Sequence, residues 1–346
     1  MCLCMVFAIV ACDTNNNGDT TTEADYKLGM GIVVSTASSA TGNAQVDATV
    51  ATVVTDAAGK IVACRIDVAQ SKFDLTKDFA AESAKTFKTK MELGDEYGMA
   101  GIIDNDGNGV KLEWDEQALA FEKYVVGMTA TEVEAIELQE ANGHQIAVDK
   151  ALLDAGCSMQ ITDFIAAVVK ACKDEQGMAF KTADTFTLGL AAKTSAAEST
   201  AATADAQAVV KMYSDFAATV VANGKILAAL NDAIQPNITV GAEGEIVNAS
   251  YKATKRELKE EYGMTPAVNY GMDPNGDGVV KEWYVQSELF SKYVVGMTAA
   301  EVAGIETAAN SIGYQMSTDA DLVAAGCTIQ ITAIKAVVAQ AANYAR

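Results

Sequence analysis

The chain has 346 residues, of which 50% are hydrophobic and 21% charged, a composition typical of globular protein with buried cores rather than of a disordered chain. Acidic residues outnumber basic ones by 46 to 25, and the formal net charge is −21. Because nucleic-acid phosphates are bound through clustered Lys and Arg side chains, and no such cluster stands out here, we do not expect a nucleic-acid partner.

The N-terminal segment indicates where the protein resides. "MCLCMVFAIVAC" (1–12) is apolar but shorter than the roughly 20 residues that span a membrane, and it has the character of a signal peptide. Its end, Ile9 to Cys12, resembles the lipobox of bacterial lipoproteins, which implies lipidation of Cys12. We therefore expect a signal peptide at 1–12, a polar tether at 13–24, and a protein anchored in the cell membrane on its extracytoplasmic face. A buried N-terminal strand is the alternative. No Lys or Arg precedes the apolar run, so the natural start is expected further upstream.

Three segments of the first half return in the second half in the same order. They are "GKIVACRIDVAQ" (59–70) and "GKILAALNDAIQ" (224–235), "KMELGDEYGM" (90–99) and "KRELKEEYGM" (255–264), and "FEKYVVGMTATEVEAIE" (121–137) and "FSKYVVGMTAAEVAGIE" (290–306). Self-similarity of this kind predicts two copies of one fold. We expect a first repeat at 25–173, a linker at 174–184 and a second repeat at 185–346.

The opening half of each repeat is rich in strand formers. Val, Ile and Thr flank the Gly-containing turn "DAAGK" (56–60), which predicts a β-hairpin. "NITVGAEGEIVNASY" (237–251) alternates around another Gly turn and predicts a second hairpin.

The later half of each repeat has helical signals. From Trp114 to Gly127 the apolar residues recur at helical intervals, and "TATE" (129–132) and "TAAE" (298–301) are capping boxes. A last helix is expected after Thr162 and after Thr332. The predicted class is α+β, in two tandem homologous domains that each carry an antiparallel sheet with helices packed on one face.

The cysteines and the single histidine exclude two classes of site. Outside the leader, the remaining cysteines are Cys64, Cys157, Cys172 and Cys327, from which no common disulfide framework can be drawn, and we expect buried thiols. A zinc site is not expected, because His144 is the only histidine and no Cys pair has ligand spacing. The sequence offers no nucleophile–His–acid set of the kind that a hydrolase uses. A redox carrier or binding protein is therefore favoured over a turnover enzyme, and enzymatic activity stays open.

The first acidic loop (residues 104–115) contains "DNDGNG", and its counterpart, the second acidic loop (273–284), contains "DPNGDG". Oxygen-bearing side chains at positions 1, 3 and 5, Gly at 6 and a carboxylate at 12 are the pattern of a calcium-binding EF-hand loop. Position 12 is Asp115 in the first loop but Tyr284 in the second. The predicted calcium ligands are thus Asp104, Asp106, Asn108 and Asp115. A polar Gly-rich turn before a helix is the alternative.

The "ELxxEYGM" segments are a second candidate. Lys90, Glu92, Glu96 and Tyr97 recur as Lys255, Glu257, Glu261 and Tyr262. Glu92 and Glu96 are four residues apart and are expected to share a helix face. Such residues could line a polar pocket with an acid/base pair, but charged residues on a helix are more often a solvated face, which is the interpretation favoured here.

The third candidate is the AGC segment, residues 155–159 in the first repeat and 325–329 in the second. "AGCSMQIT" (155–162) and "AGCTIQIT" (325–332) place Gly, Cys and a hydroxyl residue just before a helix, and helix N-termini bind phosphate through free amides. The cofactor-binding candidates are Gly156, Cys157, Ser158, Gly326, Cys327 and Thr328. The alternative is that Ser158 and Thr328 only begin a strand or cap a turn.

At this motif the chain resembles the extracytoplasmic FMN-binding domain family of flavin-carrying lipoproteins. The likeness rests on the lipobox, the "DAAGKI" and "VANGKI" turns, and the AGC segments. In that family a late Thr carries FMN through a phosphoester bond made by a separate transferase. The resemblance implies Ser158 and Thr328 as acceptors, Thr328 being the closer match, with Gly156 and Gly326 giving backbone room. It also implies a flavin transferase and a redox partner.

Two functions follow from these patterns. The first is a lipid-anchored electron-transfer carrier that holds FMN in its two repeats, the flavin doing the redox chemistry. The alternative is a non-redox surface lipoprotein that binds a small ligand or a cell-wall component, with structural calcium. The motif "KTKxELGxxYGM…KYVVGMT" also resembles surface lipoproteins of Gram-positive anaerobes.

Overall fold

The chain folds into a mixed α+β structure built on antiparallel sheets. The computed structural model describes residues 24–264, 273 and 280–346. The predicted signal peptide with Cys12, the tether to residue 23 and most of the "DPNGDG" stretch lie outside the described residues.

The strands alternate with short helices along the chain. The strands are Ala24–Ser35 (β1), Asn43–Asp56 (β2), Ile61–Asp74 (β3), Leu138–Ala141 (β4), His144–Ala147 (β5), Met178–Thr182 (β6), Thr187–Ser195 (β7), Ala208–Lys211 (β8), Tyr213–Ala222 (β9), Lys225–Ile234 (β10), Asn237–Val240 (β11), Ile246–Ser250 (β12), Thr307–Ala309 (β13) and Gln315–Ser317 (β14). The helices are Phe79–Ser83 (α1), Lys90–Leu93 (α2), Trp114–Tyr124 (α3), Ala130–Glu134 (α4), Lys150–Asp154 (α5), Thr162–Cys172 (α6), Lys255–Leu258 (α7), Trp283–Tyr293 (α8), Ala299–Ala303 (α9), Ala320–Ala324 (α10) and Thr332–Asn343 (α11). Short 3₁₀ turns follow α2 at Gly94–Tyr97 and α7 at Lys259–Tyr262.

The local predictions from turns and caps are confirmed. β2 and β3 form the hairpin around "DAAGK", and β11 pairs with β12 around the second Gly turn. Thr129 and Thr298 begin α4 and α9 with complete capping boxes. The helix predicted from Trp114 is α3, and those predicted after Thr162 and Thr332 are α6 and α11.

Two sheets pack face to face in the middle of the molecule. One has the strand order β3-β2-β1-β6 and the other β10-β9-β7, while β12-β11-β8 forms a third, smaller sheet. The core between them joins side chains from both halves of the chain, such as Leu28, Val50, Leu190 and Phe216. β2 is buried along nearly its whole length, as expected of a strand covered on both faces.

Helices cover the outer face of each large sheet. α3 and α6 pack on β2 and β3, and α8 and α11 pack on β9 and β10. Glycines allow the close approach: a Cβ on Gly29 would lie 2.0 Å from the carbonyl oxygen of Ala171, and one on Gly189 would lie 1.9 Å from that of Ala341. The resulting order of layers is helix, sheet, sheet, helix, and the predicted mixed α+β class is confirmed.

The segment 174–184 differs from the expected linker. It contains β6, which pairs with β1 in register Leu28 to Met178 and so extends the first sheet. The long hairpin strand of the second half is also interrupted: Pro236 separates β10 from β11, whereas β3 runs unbroken through Ser71. Proline has no N–H to donate to a sheet, which accounts for the break.

Of the residues described, none belongs to a helix long and apolar enough to cross a membrane.

Candidate functional site

The first acidic loop leads from the 3₁₀ turn at Gly94–Tyr97 into α3. Its path needs two glycines in the left-handed region, Gly107 with φ 71° and Gly109 with φ 84°. The N–H of Gly109 donates to Asp104 Oδ2 at 3.1 Å, which closes the loop between its first and sixth positions. This is the turn that a Gly at position 6 allows in a calcium-binding loop.

Three carboxylate oxygens of this loop are buried with nothing to bind them. Oδ1 of Asp104, of Asp106 and of Asp115 is shielded from solvent and has no hydrogen-bond partner among the described residues. A buried carboxylate oxygen that accepts no hydrogen bond is costly, because the hydration it has lost is not replaced. A cation that binds these oxygens would remove that cost.

The carboxylates are not yet gathered into a metal cage. Within the described part of the chain, no group of three or more His, Cys, Asp or Glu side chains could hold a metal ion as it stands. EF-hand loops also use Asn side chains and backbone carbonyls as calcium ligands, and here Asn108 could serve in that way. Calcium binding here would therefore require the loop to draw its side chains together.

Glu113 anchors the end of the loop rather than serving as a ligand. It is buried, and its carboxylate accepts the N–H groups of Met99 at 2.9 Å and Ala100 at 2.8 Å while capping α3. Burial alone would raise the pKa of Glu113, but the N–H donors of Ala100, Met99 and Trp114 outweigh it and lower the pKa below its ordinary value. The carboxylate is thus committed to holding the start of α3.

The loop lies directly on the first AGC segment. Asn105 Nδ2 donates to the carbonyl of Ser158 at 2.9 Å, and Asn108 Nδ2 donates to that of Leu153 at 3.3 Å. Leu112 packs so closely on Gly156 that a Cβ there would come within 2.3 Å of its Cδ1. Two candidates that are far apart in sequence are therefore one structural unit.

A buried glutamine holds each AGC segment in place. Gln117 Oε1 accepts the N–H groups of Ser158 and Met159, both at 3.0 Å, and its Nε2 donates to the Leu112 carbonyl at 3.0 Å. In the second repeat Gln286 accepts the N–H of Thr328 at 2.6 Å and donates to the Lys281 carbonyl at 2.6 Å. Sequence reasoning missed these residues, although a Gln on the apolar face of the same helix in both repeats was a usable signal.

The candidate hydroxyls and thiols are inside the protein. Ser158 is 1% exposed and Thr328 5%, while Cys157 and Cys327 are fully buried. Burial raises the pKa of both thiols to about 12. A phosphoester at Ser158 or Thr328 would need a hydroxyl that an enzyme can reach, and both residues are buried here. Gly156 and Gly326 serve tight packing, as their φ angles of 92° and 94° allow.

Of the four free cysteines in the described ranges, Cys64, Cys157 and Cys327 are buried, as predicted for most of them, and Cys172 is half-buried.

The "ELxxEYGM" segments have structural contacts. The Lys90 ammonium lies 4.7 Å from the centre of the Tyr97 ring and 5.4 Å from that of Trp114. Lys255 repeats these contacts with Tyr262 at 4.9 Å and Trp283 at 5.2 Å.

The predicted common helix face of Glu92 and Glu96 is wrong. α2 ends at Leu93, before the 3₁₀ turn that carries Glu96, so the two residues are not on one helix. Glu92 accepts the N–H of Thr89 at 3.0 Å, and Glu96 pairs with Lys88 at 2.6 Å. An acid/base pair is not formed.

Two buried aspartates were not predicted. Asp67 Oδ1 accepts the N–H of Met91 at 3.1 Å, and Asp232 Oδ1 accepts that of Arg256 at 3.0 Å, so each ties its hairpin to the helix that follows. Burial raises the pKa of both to about 6, even though these hydrogen bonds lower it. Their equal positions in "RIDVAQ" and "LNDAIQ" were the available signal.

A polar cleft of about 510 Å³ opens beside the first acidic loop. Its walls come from the loop, from the hairpin β4–β5 and from α5. Amide and carboxylate side chains dominate the lining: Asn105, Asp106, Asn108, Gln139, Glu140 and Asp154. Such a surface can exchange hydrogen bonds with a polar ligand.

In the part of the second repeat that the structure describes, a lysine contacts the AGC segment. Lys281 Nζ donates to the carbonyl of Ala325 at 2.6 Å and lies against Gly326. At position 12 of the second loop, the Tyr284 hydroxyl donates to Glu260 at 2.9 Å. Lys281 is position 9 of the second loop, where the first loop has Leu112.

No protein-family model, curated protein or solved structure matches the chain.

Proposed function

We propose that the first repeat binds a single calcium ion in its acidic loop, and that the protein is a lipid-anchored, extracytoplasmic binding protein made of two homologous repeats. The observation that carries the proposal is the set of three buried Asp oxygens in the loop. Their positions, 1, 3 and 12, are those of the carboxylate ligands in an EF-hand loop.

The side chains that would hold the ion are Asp104, Asp106, Asn108 and Asp115. Calcium prefers such a set, because it is a hard cation that takes six to eight oxygen ligands in flexible geometry. The turn at Gly109 is already formed, so the loop has the backbone path that the ion requires. Calcium would supply positive charge to a loop that otherwise concentrates carboxylates.

The polar cleft beside the loop is the proposed ligand site. Its Asn, Gln and carboxylate side chains favour a small hydrophilic ligand or part of a cell-wall component. Ile146, Val148 and Leu153 add an apolar part to the wall. Calcium at the loop would fix one wall of the cleft, since Asp106 and Asn108 belong to both.

Two further features support the rest of the proposal. The buried glutamines, the lysine–aromatic contacts and the buried aspartates recur at matching positions in both halves, which supports two homologous repeats. The lipobox-like ending at Cys12 supports the lipid anchor. Replacement Cys12→Ser is expected to move the protein from the membrane fraction into the medium, and retention on the membrane would contradict the anchor.

The geometry favours this function over the flavin carrier, which stays a prediction. Covalent FMN at Ser158 or Thr328 would require each AGC segment to open, because both hydroxyls are buried.

The proposal is tested by thermal unfolding after removal of calcium with a chelator and after its return. Because a ligand that binds only the native state stabilises it, calcium at 100 times its Kd should add about 2.7 kcal/mol to the free energy of unfolding. Asp115→Asn should abolish the shift, and Tyr284→Phe in the second repeat should leave it unchanged. No shift of the wild-type melt at millimolar calcium would contradict the proposal.

A further inference from the structure

Two clefts lie where the first repeat meets the second. The α11 cleft, of about 320 Å³, lies where the end of α11 reaches β3 and α2. Its lining includes Arg65, Ile66, Met91, Leu190, Tyr344 and Arg346. The α6 cleft, of about 400 Å³, lies where the end of α6 reaches β10 and α7. Its lining includes Lys170, Asp174, Arg256 and Glu257. Each cleft is thus formed by the last helix of one repeat and the hairpin of the other.

The two clefts occupy equivalent positions of the two repeats. Gln340 of α11 donates to Glu92 at 2.8 Å, and Lys170, at the same position of α6, forms an ion pair with Glu257. Glu92 and Glu257 are themselves matching residues of "KMEL" and "KREL". Because these contacts correspond, the residues that differ between the clefts show where the two sites have diverged.

An ion pair occupies the α6 cleft. Arg256 Nη1 lies 3.2 Å from Asp174 Oδ2, and only 7% and 9% of the two side chains are exposed. Arg256 Nη2 also donates to the Gln176 carbonyl at 2.8 Å. This guanidinium therefore finds its acceptors within the protein, where it joins the two repeats.

The α11 cleft is more apolar. Met91 and Tyr344 stand at the positions that the two partners of the ion pair hold in the α6 cleft. Ile66, Met91 and Leu190 give the α11 cleft an apolar wall. Its volume is in the range of small-molecule sites, which are mostly apolar with a few polar groups that orient the ligand.

Two arginines at the α11 cleft retain hydrogen-bond donors. Arg65 Nη1 donates to Glu122 Oε2 at 3.0 Å and Nη2 donates to the Arg346 carbonyl, but Nε is buried and has no acceptor among the described residues. The Arg346 side chain is half-exposed, and its Nη2 lies 4.0 Å from Glu122, which is too far for a hydrogen bond. An acceptor that enters the cleft would bind these groups.

The carboxylates around the α11 cleft are already bonded. Both oxygens of Glu122 and both oxygens of Glu92 accept hydrogen bonds, and Asp67 Oδ1 accepts two backbone N–H groups. The capacity left for a ligand is therefore that of the arginine donors, which favours a ligand that accepts hydrogen bonds.

We propose that the α11 cleft binds a small monocarboxylate with an apolar body. The planar guanidinium groups of Arg65 and Arg346 match a carboxylate in shape and charge. The apolar body would lie on Ile66, Met91 and Leu190. Such a ligand contacts both repeats at once, and its site is separate from the calcium loop and does not depend on it.

The experiment is calorimetric titration of the full chain with butyrate, hexanoate and octanoate, and with the matching primary amides. Hexanoate should bind about tenfold more tightly than hexanamide, because only the carboxylate forms charge-assisted hydrogen bonds with the arginines. Affinity should rise from butyrate to hexanoate as more apolar surface is buried. Absence of binding by all three carboxylates at millimolar concentration, or equal affinity for hexanoate and hexanamide, would overturn the proposal.

Variants locate the site. Arg346→Gln, at a half-exposed side chain, should weaken hexanoate binding about tenfold and leave hexanamide binding unchanged. The double variant Met91→Arg/Tyr344→Asp gives the α11 cleft the ion pair of the α6 cleft and should abolish hexanoate binding. Lys173→Gln, at an exposed lysine of the α6 cleft, is the matched control and should change the affinity by less than about twofold.

Thermal unfolding of each variant shows whether it is folded. If the double variant does not fold, Arg346→Gln decides alone. Unchanged hexanoate binding in Arg346→Gln, or an equal loss in Lys173→Gln, would show that the carboxylate binds elsewhere and that the proposal is wrong.

Discussion

The two AGC segments have nearly the same sequence and the same buried glutamine, yet the described side chain that packs on the glycine differs between them. In the first repeat an acidic loop lies on the segment through Asn105 and Leu112, and in the second Lys281 does so through its ammonium group. Leu112 makes an apolar contact with Gly156, whereas Lys281, at the same loop position, adds a hydrogen bond to the Ala325 carbonyl. The calcium site proposed above belongs to the first repeat, because Tyr284 replaces the carboxylate at position 12 of the second loop.

Substitutions that push a helix away from its sheet should lower the free energy of unfolding equally in both repeats. Gly29→Ala and Gly189→Ala each push a methyl group into a helix carbonyl, at 2.0 Å and 1.9 Å. Each should lower the free energy of unfolding by about 3 kcal/mol, measured by urea denaturation. Gly304→Ala, where the nearest atom is 3.3 Å away, is the control and should cost much less. A large difference between the stability losses of Gly29→Ala and Gly189→Ala would show that the two helix–strand contacts are not equivalent.

Loss of the hydrogen bonds that the buried glutamines accept from the AGC segments should have the next largest effect on stability. Gln117→Leu leaves the amides of Ser158 and Met159 buried without their acceptor, at a cost of about 2 kcal/mol or more. Gln286→Leu should cost a similar amount in the second repeat. Urea denaturation measures both losses. An unchanged free energy of unfolding in Gln117→Leu would show that these hydrogen bonds do not hold the segment.

The buried aspartates give a pH test that applies to both repeats. Burial raises the pKa of Asp67 to about 6, so the folded state holds this proton more tightly than the unfolded chain does. The contribution to stability is full below pH 4 and is lost as pH rises through 6. Relative to Asp67→Asn, the wild type should gain about 1–2 kcal/mol between pH 6.5 and 4, by urea denaturation.

Relative to Asp232→Asn, the wild type should show the same gain in stability as the pH falls, because burial raises the pKa of Asp232 to about 6 as well. Stability curves of wild type and variant that run parallel across this pH range would contradict the assignment.

The smallest expected effect is that of Lys281→Met on stability. Its ammonium is exposed and makes one hydrogen bond to the Ala325 carbonyl, so the loss should be about 1 kcal/mol or less. Thermal unfolding measures it, in calcium and in chelator. A loss well above this value would contradict a role limited to one exposed hydrogen bond.

Local signals in the sequence predicted the local structure well. The Gly turn in "DAAGK" and the Thr–Glu pairs of the capping boxes act between neighbouring residues, and the hairpin and helix starts they predict are present. The packing of the two sheets was not predicted, because β2 alternates apolar residues with polar ones such as Gln45 and Thr49. That pattern suits a strand with one solvated face, yet both faces of β2 are buried. The same applies to β6, whose partner strand begins far away in the chain.

The candidate site was predicted in its parts but not in its assembly. The ligand pattern of the first acidic loop can be read from spacing alone, and so can the repetition of the AGC segment. Their contact through Asn105 and Ser158 joins residues 53 positions apart. No periodicity in the sequence indicates a contact over that separation. The burial of Ser158 beneath the loop could therefore not be predicted either.

The most direct test of the account counts the calcium ions bound to one chain by native mass spectrometry, on wild type and on Asp115→Asn. The account predicts a single ion on the wild type and none on the variant, because Tyr284 replaces the last carboxylate of the second loop. A wild-type chain without calcium, or an Asp115→Asn chain that binds as much as the wild type, would contradict it.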